Sequence, residues 1–81
     1  MSYIVNIRNY IVENFLFGDG DQLHDDTSFL ESGIIDSTSV LEIVNFLEED
    51  YKITVDDEEL IPENFDTLLN IDKFLLMKME R

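Results

Sequence analysis

Residues 30–50 read LESGIIDSTSVLEIVNFLEED. An apolar Gly-Ile-Ile turn and an aspartate lead into three hydroxyl residues, Ser37, Thr38 and Ser39, which open an amphipathic and strongly acidic helix. With Ser37 as zero and about 100° per residue, Val40, Ile43, Val44, Leu47 and Tyr51 fall together as a core stripe, with Phe46 on its edge. Thr38, Leu41, Glu42, Asn45, Glu48 and Glu49 fall on the opposite side. That outer face is acidic with one leucine in its midst, an apolar anchor ringed by charges that can orient a partner.

The opening of this helix has two readings. In the first it is capping chemistry alone. Asp36 is a good N-cap for a helix running to about Tyr51, and Ser39-Val-Leu-Glu42 has the form of an internal capping box. In the second, Ser37 is displayed at a helix N-terminus, where unpaired N–H groups and the helix dipole favour an anion. A phosphodiester built on its oxygen is then well placed, apart from repulsion by Asp36. A catalytic serine needs a general base in reach. The single histidine, His24, lies in a polar loop, and IIDSTS is not a G-x-S-x-G elbow. No catalytic residue is expected, and the protein is not expected to be an enzyme.

Working outward, Ile4, Ile7, Ile11 and Phe15 recur at steps of three and four, which predicts a helix over about 3–17. GDGDQLHDD (18–26) is a loop by composition. Phe29, Leu30, Ile34 and Ile35 should pin the rest of this long connection to the core, with Gly33 taking a backbone conformation other residues resist. After Tyr51 the pattern predicts a short helix around 57–61, a turn at Pro62 and a return to the core at Phe65. A last helix is expected over about 67–78, capped by Asp66, with Leu68, Ile71, Phe74 and Leu75 along one face. The expected fold is all-α: a four-helix bundle of three longer helices and one short one, with a long loop between the first two, formed by residues 1–81 as a single domain.

Eighty-one residues suffice for a small core but not for one enclosing a deep active site. The chain has no cysteine, which removes disulfides and thiolate metal sites and fits a reducing compartment. The N-terminus lacks the pattern of a signal peptide, and no apolar run has the length of a membrane span. A soluble, cytoplasmic protein is expected, monomeric and without membrane insertion. Nineteen acidic against five basic residues give a net charge of −14. That argues against nucleic acid and favours partners that present basic patches.

The stretch SFLESGIIDSTSVLEIVNFLEEDYKITVDDEEL resembles the core of acyl and peptidyl carrier proteins. The likeness rests on Gly33, Asp36-Ser37, Val40, Glu42, Ile43-Val44, Leu47, Glu48-Glu49 and Tyr51, matched without a gap, and extends over nearly the whole chain. The resemblance implies that a phosphopantetheinyl transferase attaches 4′-phosphopantetheine from coenzyme A to Ser37. The arm's thiol then carries an acyl or aminoacyl group as a thioester, in fatty acid or secondary metabolite biosynthesis. It implies that Asp36 helps the transferase recognise its substrate. Glu42, Glu48 and Glu49, with Thr38, Leu41 and Asn45 as neighbours, become the docking face for partner enzymes: an acyl- or aminoacyl-adenylating ligase, and acyltransferase or condensing enzymes. Thr38 departs from the family, where Leu or Met is common after the modified serine, and so points away from a housekeeping fatty-acid carrier. PENF and SGIIDS resemble stand-alone specialised carriers.

The rival reading is an unmodified acidic helical adaptor for basic partner proteins, with loose divalent-cation binding by Asp19, Asp21, His24, Asp25 and Asp26. The loop lacks the EF-hand pattern, because Leu23 occupies a ligand position. No dedicated metal site is expected.

Overall fold

The computed structural model describes residues 3–18, 20, 21 and 23–79. Three helices of equal length carry the fold: α1 (Ile4–Phe15), α3 (Val40–Tyr51) and α5 (Leu68–Met79). Between them lie two single-turn helices, α2 (Phe29–Ser32) and α4 (Pro62–Phe65), and a 3-10 turn at Asp57–Glu59. The all-helical bundle agrees with the sequence reading, with two refinements. Inside the long connection, Ser28 accepts a hydrogen bond from the Glu31 N–H and starts α2, and Gly33 ends it at φ 77°. Pro62 does not simply turn the chain. It occupies the first position of α4, where its missing N–H costs nothing.

The stripes read from the sequence supply the observed core, with Ile4, Phe15, Val40 and Tyr51 half-buried against it. Ile7 and Ile11 of α1, Ile43, Val44 and Leu47 of α3, and Leu68, Ile71, Phe74 and Leu75 of α5 are buried. The connections add Leu23, Phe29, Ile35 and Phe65. Leu30 does not join them and remains partly exposed.

Aromatic contacts set α1 antiparallel to α3. Tyr3 packs edge-on against Tyr51 with ring centres 5.2 Å apart, and Tyr10 stacks on Phe46 at 3.9 Å. The Asn6 amide donates to the Tyr51 hydroxyl at 2.7 Å, and the Tyr10 hydroxyl donates to the Glu42 carbonyl at 3.3 Å. Burial, helped by the charge of Glu42, raises the Tyr10 pKa above the ordinary phenol value. The first part of the long loop folds back onto α1. Arg8 donates to the carbonyls of Leu23 and Gly20, and a Cβ at Gly20 would meet Val12 at 2.7 Å.

Two capping expectations are corrected. Asp66 does not cap α5; its carboxylate is drawn to α2, and the Thr67 hydroxyl accepts from the Asn70 N–H at 3.0 Å instead. Ser39 makes no side-chain cap to α3, so the Ser39–Glu42 capping box does not form.

Candidate functional site

Asp36 is where α3 is prepared, although the regular helix begins only at Val40. Its Oδ1 accepts the Ser39 N–H at 2.7 Å and its carbonyl accepts the Val40 N–H at 3.2 Å. Residues 37–39 thus form a tight turn leading into the helix, with the aspartate doing the capping three residues early. The Ser39 N–H chiefly, then the Ser39 hydroxyl and the Thr38 N–H, hold the Asp36 carboxyl below the usual carboxylate range against a small opposing effect of burial.

Ser37 stands at the first corner of that turn and is exposed. Because Asp36 satisfies the turn's leading amide, the Ser37 hydroxyl has no capping duty, and no hydrogen bond engages it among the described residues. It opens onto a cavity of about 250 Å³ lined by Leu30, Val40, Leu60, Ile61, Pro62, Phe65 and Asp66. One wall is a latch between α2 and α4. Asp66 Oδ2 accepts the Ser28 hydroxyl at 2.6 Å, its Oδ1 accepts the Leu30 N–H at 3.0 Å, and its carbonyl accepts the Phe29 N–H at 2.8 Å.

A hydroxyl at the mouth of a small, mainly apolar cleft suits a covalently attached arm whose stem can rest against the walls. Leu30, Leu60 and Ile61 line this cleft while remaining more than a third exposed, and Leu41, one turn along α3, is 57% exposed. Four exposed large apolar side chains therefore gather around one serine, as contact surfaces do. Of these the sequence reading assigned only Leu41 to the site. The others lie in segments without periodicity, and the Leu60-Ile61 pair ahead of Pro62 was the one available signal.

The outward face of α3 is as the wheel placed it for Thr38, Leu41, Glu42, Asn45 and Glu49, all exposed. Glu48 differs. It is half-buried, and its Oε2 accepts the Val55 N–H at 3.0 Å, tying the segment after α3 back to the helix. His24 lies away from Ser37, on another cleft beside Arg8 and Val12. Among the described residues, no three histidine or acidic side chains converge on a common point; Asp19 lies outside them.

Residues 7–73 match the family described as PP-binding, phosphopantetheine attachment site. A similar curated protein is the "Probable acyl carrier protein PigG" of Serratia sp. (strain ATCC 39006), 35% identical over 60 residues, which are 74% of this chain and 69% of that one. A similar solved structure, named "Crystal structure of FAD-dependent dehydrogenase", matches with a TM-score of 0.74 and 26% identity over 85% of this chain and 97% of its own matched chain. With the family matched across most of its length and around a cleft that can seat the arm, this chain belongs to the phosphopantetheine-attachment family: a carrier protein holding covalent 4′-phosphopantetheine, and not itself a catalyst.

Proposed function

We propose that Ser37 is the attachment residue, and that the protein presents acyl or aminoacyl groups to partner enzymes as thioesters of the arm's thiol. One observation carries this reading: the Ser37 hydroxyl is exposed and unbonded at the mouth of the cleft, relieved of capping by Asp36. The arm supplies the thiol that the cysteine-free chain lacks. Asp36, fixed by the turn and held ionised, is the neighbouring recognition element for the phosphopantetheinyl transferase.

Partner enzymes dock on Thr38, Leu41, Glu42, Asn45 and Glu49, with half-buried Glu48 at the edge. Leu30, Leu60 and Ile61 extend that surface past the cleft. A ligase loads the arm, and acyltransferases or condensing enzymes unload it. The charge of −14 favours basic docking surfaces and a salt-sensitive, quickly reversed encounter. The protein works as a cytoplasmic monomer, in keeping with its lack of cysteine.

The test is intact mass after incubation with coenzyme A, Mg²⁺ and a promiscuous phosphopantetheinyl transferase. Wild type should gain one phosphopantetheinyl group and Ser37→Ala none. A gain in the Ser37→Ala variant would place the attachment elsewhere.

The similar solved structure favours one further partner. Its matched chain is about as short as this one, yet the structure is named for an FAD-dependent dehydrogenase. That likeness supports a flavin-dependent dehydrogenase as one of the enzymes acting on the tethered cargo. Loaded carrier incubated with such an enzyme should lose a pair of hydrogens from the cargo, read as a mass change on the arm, while the flavin is reduced.

A further inference from the structure

We propose that Phe17 is an apolar anchor for the phosphopantetheinyl transferase, seated in an apolar pocket of the enzyme within its basic surface; this rests on Ser37 being the attachment residue. Phe17 follows the end of α1 and is 95% exposed, more than any other large apolar side chain described. Its backbone is left-handed at φ 53°, a conformation that L-residues other than glycine resist, with Gly18 beside it at φ 86°. The side chain is thus held in water on an unfavourable backbone, with no burial to offset either.

The register of α1 on α3 places this ring relative to Ser37. Tyr3 meets Tyr51, and Tyr10 meets Glu42 and Phe46, so the two helices run antiparallel. Seven residues beyond Tyr10 along α1 correspond to about seven residues back along α3, to the level of Ser37. At ordinary helix spacing this puts Phe17 about 10–15 Å from Ser37, on the α1 side of the acidic face.

That distance selects the occupant. Enzymes acting on the cargo dock along the outer face of α3 and receive the thiol at the far end of the arm, so their footprint need not be centred on Ser37. The transferase acts before the arm exists and must bring its active site to the Ser37 hydroxyl itself. A contact of ordinary size, about 800 Å² per partner, has a radius of about 16 Å and so covers Phe17 when centred on Ser37. Exposed Glu13, four residues before Phe17, supplies negative charge on this side, and exposed Glu42, beside Tyr10, continues it along α3. The complementary site is therefore an apolar pocket with basic flanks. The exposed Leu30, Leu60 and Ile61 that line the Ser37 cleft offer the transferase a second apolar contact beside its target.

The experiment measures kcat/KM for phosphopantetheinylation of the full chain by a promiscuous transferase with coenzyme A and Mg²⁺, together with Tm. Phe17→Ser should lower kcat/KM about tenfold, the effect of losing one aromatic anchor, while Phe17→Leu should retain most of it. Phe17→Gly separates docking from folding: it should raise Tm, because glycine accepts the left-handed backbone, and still lower kcat/KM. Val5→Ser removes another well-exposed apolar group, at the opposite end of α1, and should leave the rate unchanged. Wild-type kcat/KM in Phe17→Ser and Phe17→Gly overturns the anchor while leaving Ser37 as the attachment site. So does a wild-type dimer in sedimentation that Phe17→Ser dissolves, since the ring's occupant is then a second copy. A wild type that gains no mass overturns the Ser37 reading, and the anchor falls with it.

Discussion

Ser28 and Ser37 are both serines at the opening of a helix, and the structure uses them in opposite ways. Ser28 is half-buried. Its hydroxyl accepts the Glu31 N–H at 3.2 Å and donates to Asp66 at 2.6 Å, so both its hydrogen-bonding roles are spent on joining α2 to α4. Ser37 is exposed, and the capping bond that a serine at its position would make comes from Asp36 instead. The difference shows what frees a hydroxyl for modification: not the helix start itself, but a neighbour that takes over the capping.

The largest effect expected from this comparison is on modification. Ser37→Ala should abolish the phosphopantetheinyl mass gain while shifting unfolding free energy by less than about 0.5 kcal/mol, the usual range for an exposed, unbonded side chain. Ser28→Ala should keep the full mass gain. If Ser28→Ala also blocked modification, the two serines would not be separable and the cleft wall would be part of the recognition site.

Next in size is Asp66→Ala. It leaves the Ser28 hydroxyl and the Leu30 N–H without their acceptor on the cleft wall, and should cost about 1–3 kcal/mol in urea unfolding. Ser28→Ala removes one cap and should cost about 1 kcal/mol. The two costs should not add, because both variants break the same bond; a double-mutant cycle that found simple additivity would mean that the latch is not one unit.

The unequal roles of the two serines were only partly legible in the sequence. Apart from Glu48, the wheel of residues 37–51 sorted core from surface, because 12 residues of regular helix leave little freedom in which side faces inward. Gly33 was legible for a similar reason: a helix stop after an apolar lead asks for the left-handed backbone that it adopts. Asp66 was not. Next to an apolar run it looks like a cap for the following helix, and only the tertiary placement of α2, 38 residues earlier than Asp66 at Ser28, redirects its carboxylate. Glu48 was misjudged in part for the same reason, since its bond to Val55 depends on how the chain leaves α3. Leu60 and Ile61 carry no periodicity, so their place beside Ser37 emerges only from packing. Local periodicity was readable, and long-range use of polar side chains was not.

The smallest effect sharpens the comparison at the cap itself. Ser37's turn is held by a carboxylate, so it should respond to acid. The Asp36 pKa is lowered in the folded state, chiefly by the Ser39 N–H, so the ionised form is favoured there more than in the unfolded chain. Its contribution is therefore fully present above the ordinary aspartate range and fades as pH falls through that range toward its lowered folded value. Asp36→Asn keeps an acceptor of similar shape but removes the titration. It should make the protein slightly less stable near neutral pH, and the gap to wild type should close as pH falls below the ordinary aspartate value. Parallel urea melts of the two proteins across the acid range read this directly. A gap that stayed constant with pH would show that the turn before Ser37 does not depend on the charge of Asp36, and that the amide alone can relieve the serine of its cap.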